Sequence, residues 1–92
     1  MQIIDELYRV VMDRKEHPVE GSYTNYLLDK GTEKIAKKVG EEAVETAIAA
    51  AKNDRNEIIA EIADLHYHIL VLMADRDITL ADIEKELRSR RG

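Results

Sequence analysis

Residues 37–68, KKVGEEAVETAIAAAKNDRNEIIAEIADLHYH, decide how this chain folds. Two carboxylate pairs lie in them, Glu42 with Glu45 and Glu61 with Asp64, each spaced i,i+3 with 15 residues between the pairs. On a helix, residues three apart share a face, with Cβ atoms about 5–6 Å apart. Both segments carry apolar residues at helical period, so each pair projects from one side of its helix. Two such helices side by side would gather four carboxylates. Four negative charges do not share a small site without compensation. For an all-oxygen ligand set the usual compensation is a hard cation, Mg²⁺ or Mn²⁺.

The break between the two helices falls at Asn53-Asp54, where Asp54 and Glu57 form a D-x-x-E capping signature. The helix before it is expected from Glu33 to about Lys52, capped by Thr32. Its apolar face reads Ile35, Val39, Ala43, Ala47 and Ala50, with Ala36 beside it, and these small side chains admit a close neighbour. Gly40 inside this helix costs about 1 kcal/mol relative to Ala, which points to a close backbone approach or a local bend. The helix after the break is expected from Arg55 to about Asp75. One apolar arc holds Ile58, Ile62, Leu65, Ile69 and Leu72, and a second set holds Ile59, His66, Leu70 and Met73. A helix apolar over so much of its circumference belongs at the centre of a bundle.

Outward from this hairpin, Gln2–Arg14 reads as an amphipathic helix with Ile3, Ile4, Leu7, Tyr8, Val11 and Met12 on one stripe. A loop follows over Lys15–Gly21, because Pro18 disfavours helix at His17 and Gly21 permits a turn. Ser22 caps a short helix through Tyr23, Tyr26 and Leu27, which Gly31 closes. Thr79 caps a last helix from Leu80 to about Arg88, with Leu80, Ile83 and Leu87 facing in, and the basic tail SRRG is expected to fray.

At 92 residues the chain fits a single domain over 1–92, and 45% hydrophobic with 36% charged residues marks it as globular. Ala, Ile, Leu, Glu and Lys dominate, and Tyr is the only aromatic type, so the expected class is all-α with a thin core. Such a core is expected to be completed by homodimerisation or a higher homo-oligomer. The absence of Cys excludes disulfides and thiolate-held zinc and makes the cytoplasm the simplest compartment. The charged N-terminus is not a signal peptide, and no apolar run approaches the ~20 residues of a membrane span. A net charge of −5 argues against a nucleic-acid surface.

At about 100° per residue, Glu57, Glu61, Asp64 and His68 share one face of the later helix, as Lys38, Glu42 and Glu45 do on the earlier one. Both acidic faces abut the apolar stripe, where like charges are costly without a cation. E-x-x-E also arises by chance on solvated helix faces, and spacing alone does not separate the two readings. If the carboxylates hold Mg²⁺, the chemistry expected is on phosphates, with water as attacker, since no Ser or Cys nucleophile motif, P-loop or GxGxxG is present. A di-iron bundle would need Glu-x-x-His, and the sequence has none.

The E-x-x-E then E-x-x-D arrangement resembles the all-α, MazG-like nucleoside-triphosphate pyrophosphohydrolases. More narrowly, EGSYTNYLLDKG (20–31), KIAKKVGEEAVETAIAA (34–50) and EIADLHYHILVLM (61–73) resemble the phosphoribosyl-ATP pyrophosphohydrolases of histidine biosynthesis. His66 departs mildly from the family, which more often has an apolar residue there, and a fused cyclohydrolase domain is expected to be absent. The resemblance implies a MazG-like bundle of four to five helices that cleaves phosphoribosyl-ATP, a nucleotide substrate, to phosphoribosyl-AMP and pyrophosphate. It implies Glu42, Glu45, Glu61 and Asp64 as holders of Mg²⁺, with Glu41 adjoining and one carboxylate serving the attacking water. Lys38 and Lys37, Ser22, Tyr23 and Thr24, His68 and Arg88 are the candidate substrate contacts, with Arg90 and Arg91 beside the last. Two competing expectations stand against this one. They are a house-cleaning dNTP pyrophosphatase of the same fold and a non-enzymatic helical dimerisation module.

Overall fold

The computed structural model describes residues 1–91. Within them lie five helices, α1 (Gln2–Glu16), α2 (Tyr23–Lys30), α3 (Thr32–Ala51), α4 (Arg55–Asp75) and α5 (Leu80–Arg90), and no strand. The all-α expectation holds. α1 runs two residues past the expected end and stops where Pro18 forbids helix at His17. Ser22 Oγ accepts the Asn25 amide and starts α2, and Gly31, at φ 93°, ends it in backbone space that other residues avoid. Asp54 caps α4 by accepting the Glu57 amide, and Thr79 with Asp82 forms a full capping box for α5.

Thr32 does not cap α3 as expected. It is the first helical residue, and its hydroxyl donates to the Asp75 carboxylate at the far end of α4 instead. That bond ties the open end of the α3–α4 hairpin, so a tertiary partner outcompetes the local one.

α3 and α4 form the central antiparallel pair; α1 packs on α4, and α2 bridges α1, α3 and α4. The core sits near the start of α3 and the end of α4, where Val11, Leu27, Ile35, Val71 and Ala74 are buried together. Each large member contributes about 1.5–3 kcal/mol by leaving water. The seam of α3 differs from the expected one. Ile35, Glu42 and Ala49 are buried, with Val39 and Thr46 half-buried, whereas Ala36, Ala43, Ala47 and Ala50 are exposed. An alanine methyl gains little from burial, so the larger side chains at 35 and 39 set the phase, and seven-residue spacing carries Glu42 inward.

On α4 the buried residues are His68, Leu70, Val71, Met73 and Ala74, while Ile59, Ile62 and Ile69 stay exposed. The two expected arcs therefore divide along the helix, with the C-terminal half in the core and the N-terminal half showing an apolar flank. α5 buries no residue; Leu87 is 64% exposed and Ile83 is also exposed, so neither faces in as expected. The turn before α5, not its apolar face, is held: Tyr8 donates to the Ile78 carbonyl at 2.7 Å, and Lys15 binds Asp77 and the Ala74 carbonyl at 2.8 Å. Of the tail, Ser89 and Arg90 are helical rather than frayed, and Gly92 lies outside the described residues. Gly40 has no close neighbour: a Cβ at that position would meet nothing within 4 Å.

Candidate metal and active site

Antiparallel packing sets Glu42 of α3 against Glu61, Asp64 and His68 of α4. One carboxylate oxygen each from Glu42, Glu45 and Glu61 lies within 4.8 Å of the others, and ligand atoms of Glu42, Asp64 and His68 form a second such group. The four carboxylates expected from the two motifs are thus brought together, with Glu42 common to both groups.

Glu42 is only 4% exposed. Its Oε1 lies 3.7 Å from Lys38 Nζ, but its Oε2 is buried with no hydrogen-bond partner, as is Oε2 of Glu61. A buried, unpartnered carboxylate oxygen is costly, and two such carboxylates in one acidic cluster suit a cation. The electrostatics agree. Burial, then the adjoining Asp64 and Glu45 carboxyls, push the Glu42 carboxyl from its ordinary 4.5 up to about 7. Glu61 is also raised, first by hydrogen bonding to the Glu45 carboxyl and then by burial. Without a cation, Glu42 and Glu61 bind protons more readily than free carboxyls do.

Lys38 stands at the rim, 3.8 Å from Glu41 and half-buried. Burial pulls its pKa down, and Tyr23, Glu41, Glu42 and Asp64 together outweigh that and raise it. Glu41 itself is exposed and belongs to neither group. Lys37 lies on another face, where it lines a shallow depression with Gly40, Glu41, Val44 and Glu45. Ser22 Oγ is engaged as the cap of α2, and the Thr24 hydroxyl is bonded to the Tyr67 hydroxyl. The Tyr23 hydroxyl meets His68 Nε2 at 3.1 Å, while Nδ1 of His68 reaches the Asp64 carbonyl at 2.8 Å. Arg88 is exposed and paired with Glu84 at 2.7 Å, and Arg90 with Glu86 at 2.8 Å, both within α5.

One residue that shapes this end of the molecule does not stand out in the sequence. Asn25 is buried; its Oδ1 accepts the Val19 amide at 2.8 Å and its Nδ2 donates to the Arg14 carbonyl at 2.7 Å. It pins the loop before α2 to the end of α1. Its only signal is an Asn inside a short helix, where intrinsic preference disfavours it.

A family model described as phosphoribosyl-ATP pyrophosphohydrolase matches residues 4–91, nearly the whole chain and both carboxylate pairs. The chain belongs to the phosphoribosyl-ATP pyrophosphohydrolase family. Among curated relatives of this family, the phosphoribosyl-ATP pyrophosphatase of Listeria monocytogenes serotype 4a is 59% identical over 90 residues, covering 98% of this chain and 86% of that protein. The phosphoribosyl-ATP pyrophosphatase of Clostridium botulinum is 57% identical over 89 residues, covering 97% and 81%. The histidine biosynthesis bifunctional protein HisIE of Thermoanaerobacter pseudethanolicus is 58% identical over 85 residues, which span 92% of this chain and 39% of that longer protein. Among the described residues, no helix is long and apolar enough to cross a membrane.

Proposed function

We propose that this chain hydrolyses phosphoribosyl-ATP to phosphoribosyl-AMP and pyrophosphate, a step of histidine biosynthesis, with water attacking at the α–β phosphoanhydride. Glu42, Glu45, Glu61 and Asp64 would hold a divalent cation, Mg²⁺ in preference and Mn²⁺ as a substitute. The observation that carries this reading is the buried, unpartnered Oε2 of Glu42 inside a four-carboxylate cluster. An all-carboxylate donor set fits a hard cation, and no thiolate is present to favour a softer one. When bound, the cation supplies charge neutralisation and Lewis acidity to the phosphates.

The protein's own residues do the rest. The cluster fixes where the anhydride sits, and a carboxylate of the cluster orients the attacking water and takes its proton. Lys38, at the rim, places a positive charge where the phosphates approach. Water attack at the α-phosphorus breaks its bond to the bridging oxygen, and that oxygen leaves with pyrophosphate. The chain works as a homodimer in the cytoplasm. Support for the dimer comes from the apolar flank: Met1, Ile3, Ile4, Leu7, Ile59 and Ile62 line a groove of about 370 Å³ between α1 and α4. Val44 and Ile48 of α3 are exposed as well. A groove lined almost wholly by apolar side chains gives a second copy an apolar face to cover.

Glu42→Gln and Glu61→Gln test the assignment. Each is expected to abolish turnover of phosphoribosyl-ATP while circular dichroism shows an intact helical fold. Undiminished turnover in both would remove the carboxylates from the mechanism.

A further inference from the structure

His68 is 3% exposed, and both ring nitrogens are engaged. Nδ1 lies 2.8 Å from the Asp64 carbonyl oxygen and 3.4 Å from Asp64 Oδ1. A carbonyl only accepts, so Nδ1 carries the proton and donates it. Nε2 is then bare, and the Tyr23 hydroxyl, 3.1 Å away, donates to it. The imidazole packs edge-on against Tyr23 and Tyr67, with ring centroids 5.9 and 5.1 Å away. Its tautomer and its orientation are therefore set by partners on two helices.

Asp64 is the least confined of the cluster carboxylates that this ring touches. Its side chain is 48% exposed, in a cluster where Glu42 beside it is buried. Among the described residues, no lysine, arginine or other histidine pairs with it. The N–H of His68 is the nearest side-chain donor to that carboxylate, 3.4 Å from Oδ1.

We infer that Tyr23 and His68 form a positioning relay for Asp64. Tyr23 fixes the Nδ1–H tautomer of His68, and His68 donates to the Asp64 carbonyl with the Asp64 carboxylate 3.4 Å from the same N–H, on the cluster side. Neither residue needs to touch the substrate to act this way, which distinguishes this role from the substrate contacts expected of them. The inference rests on the reading of the cluster as a divalent-cation site. It also gives Tyr23 two faces. Its hydroxyl serves the cluster, and its ring, stacked on Tyr26 at 6.1 Å, walls an open depression of about 760 Å³ lined by residues of the loop before α2. Removing the hydrogen-bond partner of a metal-holding side chain typically weakens metal binding 10–100-fold.

The test uses the full chain and Mn²⁺ as the probe. Nitrogen-15 NMR of the imidazoles in the metal-free protein reads the tautomer, and an EPR-followed Mn²⁺ titration reads affinity. The parent is expected to show His68 as Nδ1–H. Tyr23→Phe keeps the ring, admits the Nε2–H form and weakens Mn²⁺ binding about 10-fold. His68→Leu weakens it by at least as much, and His68→Asn, whose amide keeps a donor at the Nδ1 position, rescues much of the loss. Because Tyr23 lies at a half-exposed ring, its variant carries the test even if His68→Leu fails to fold. An Nε2–H tautomer in the parent, equal Mn²⁺ affinity across the variants, or direct Mn–nitrogen coupling would each overturn the relay and leave the carboxylate site standing. A parent with the expected tautomer that binds no Mn²⁺ overturns the cation reading itself, and the relay with it.

Discussion

Glu42 concentrates the chemistry of this chain in one side chain. Its carboxyl titrates near 7 when folded without a cation, against an ordinary 4.5, because water is excluded and Asp64 and Glu45 crowd it. A folded-state pKa raised in this way means that the folded protein binds a proton that the unfolded chain has released. The stabilising contribution is complete below about 4.5 and is lost as pH rises through about 7. In EDTA, the melting temperature is therefore expected to fall between those limits, as calorimetry can follow; a rise across the same window would contradict the raised carboxyl of Glu42. Glu42→Gln should flatten that slope and raise the stability of the metal-free protein above pH 7, while Mg²⁺ should stabilise the parent there and not the variant. The legibility of the site was uneven at this scale. Glu42, Glu45, Glu61 and Asp64 were readable because i,i+3 spacing is a property of the helix alone. The Tyr23–His68 contact was not, because it joins residues 45 apart through packing that no local pattern encodes.

Element by element, the helix ends were the most legible feature. Ser22, Asp54 and Thr79 cap as their sequence positions demand, since a cap and its amide partner lie within three residues. Thr32 escaped that logic because Asp75, 43 residues away, offered its hydroxyl a better partner. The phase of α3 departs from its pattern for a related reason. Its alanines look like a seam, yet methyl groups carry little of the burial that fixes a helix's rotation, and Glu42 takes the inward position. Gly40 offers a test at this scale. With nothing within 4 Å of the place an added methyl group would occupy, Gly40→Ala should stabilise the chain by about 0.5–1 kcal/mol in urea unfolding. Destabilisation would mean that a second backbone lies against this stretch of α3. In the core, Leu27→Ala removes a fully buried side chain and should cost about 2–5 kcal/mol.

For the whole molecule, the shortfall lies in how much apolar surface one copy leaves uncovered. The class, the order of elements and the central place of α3 and α4 could be read from periodicity, but burial along each element could not, because much of the apolar pattern on α4 and α5 stays exposed among the described residues. The proposed dimer would place Ile59 and Ile62 of the α1–α4 groove against the second copy. Ile62→Glu is expected to shift the protein toward monomer in sedimentation; an unchanged distribution would place the association face elsewhere. The central claim concerns the substrate and the cation together, and one measurement addresses it most directly: pyrophosphate release from phosphoribosyl-ATP, with dATP, dCTP and dUTP in parallel, each with Mg²⁺ and with EDTA. The account predicts release from phosphoribosyl-ATP alone, abolished by EDTA. Release from the deoxynucleotides but not from phosphoribosyl-ATP, or release that persists in EDTA, would contradict it.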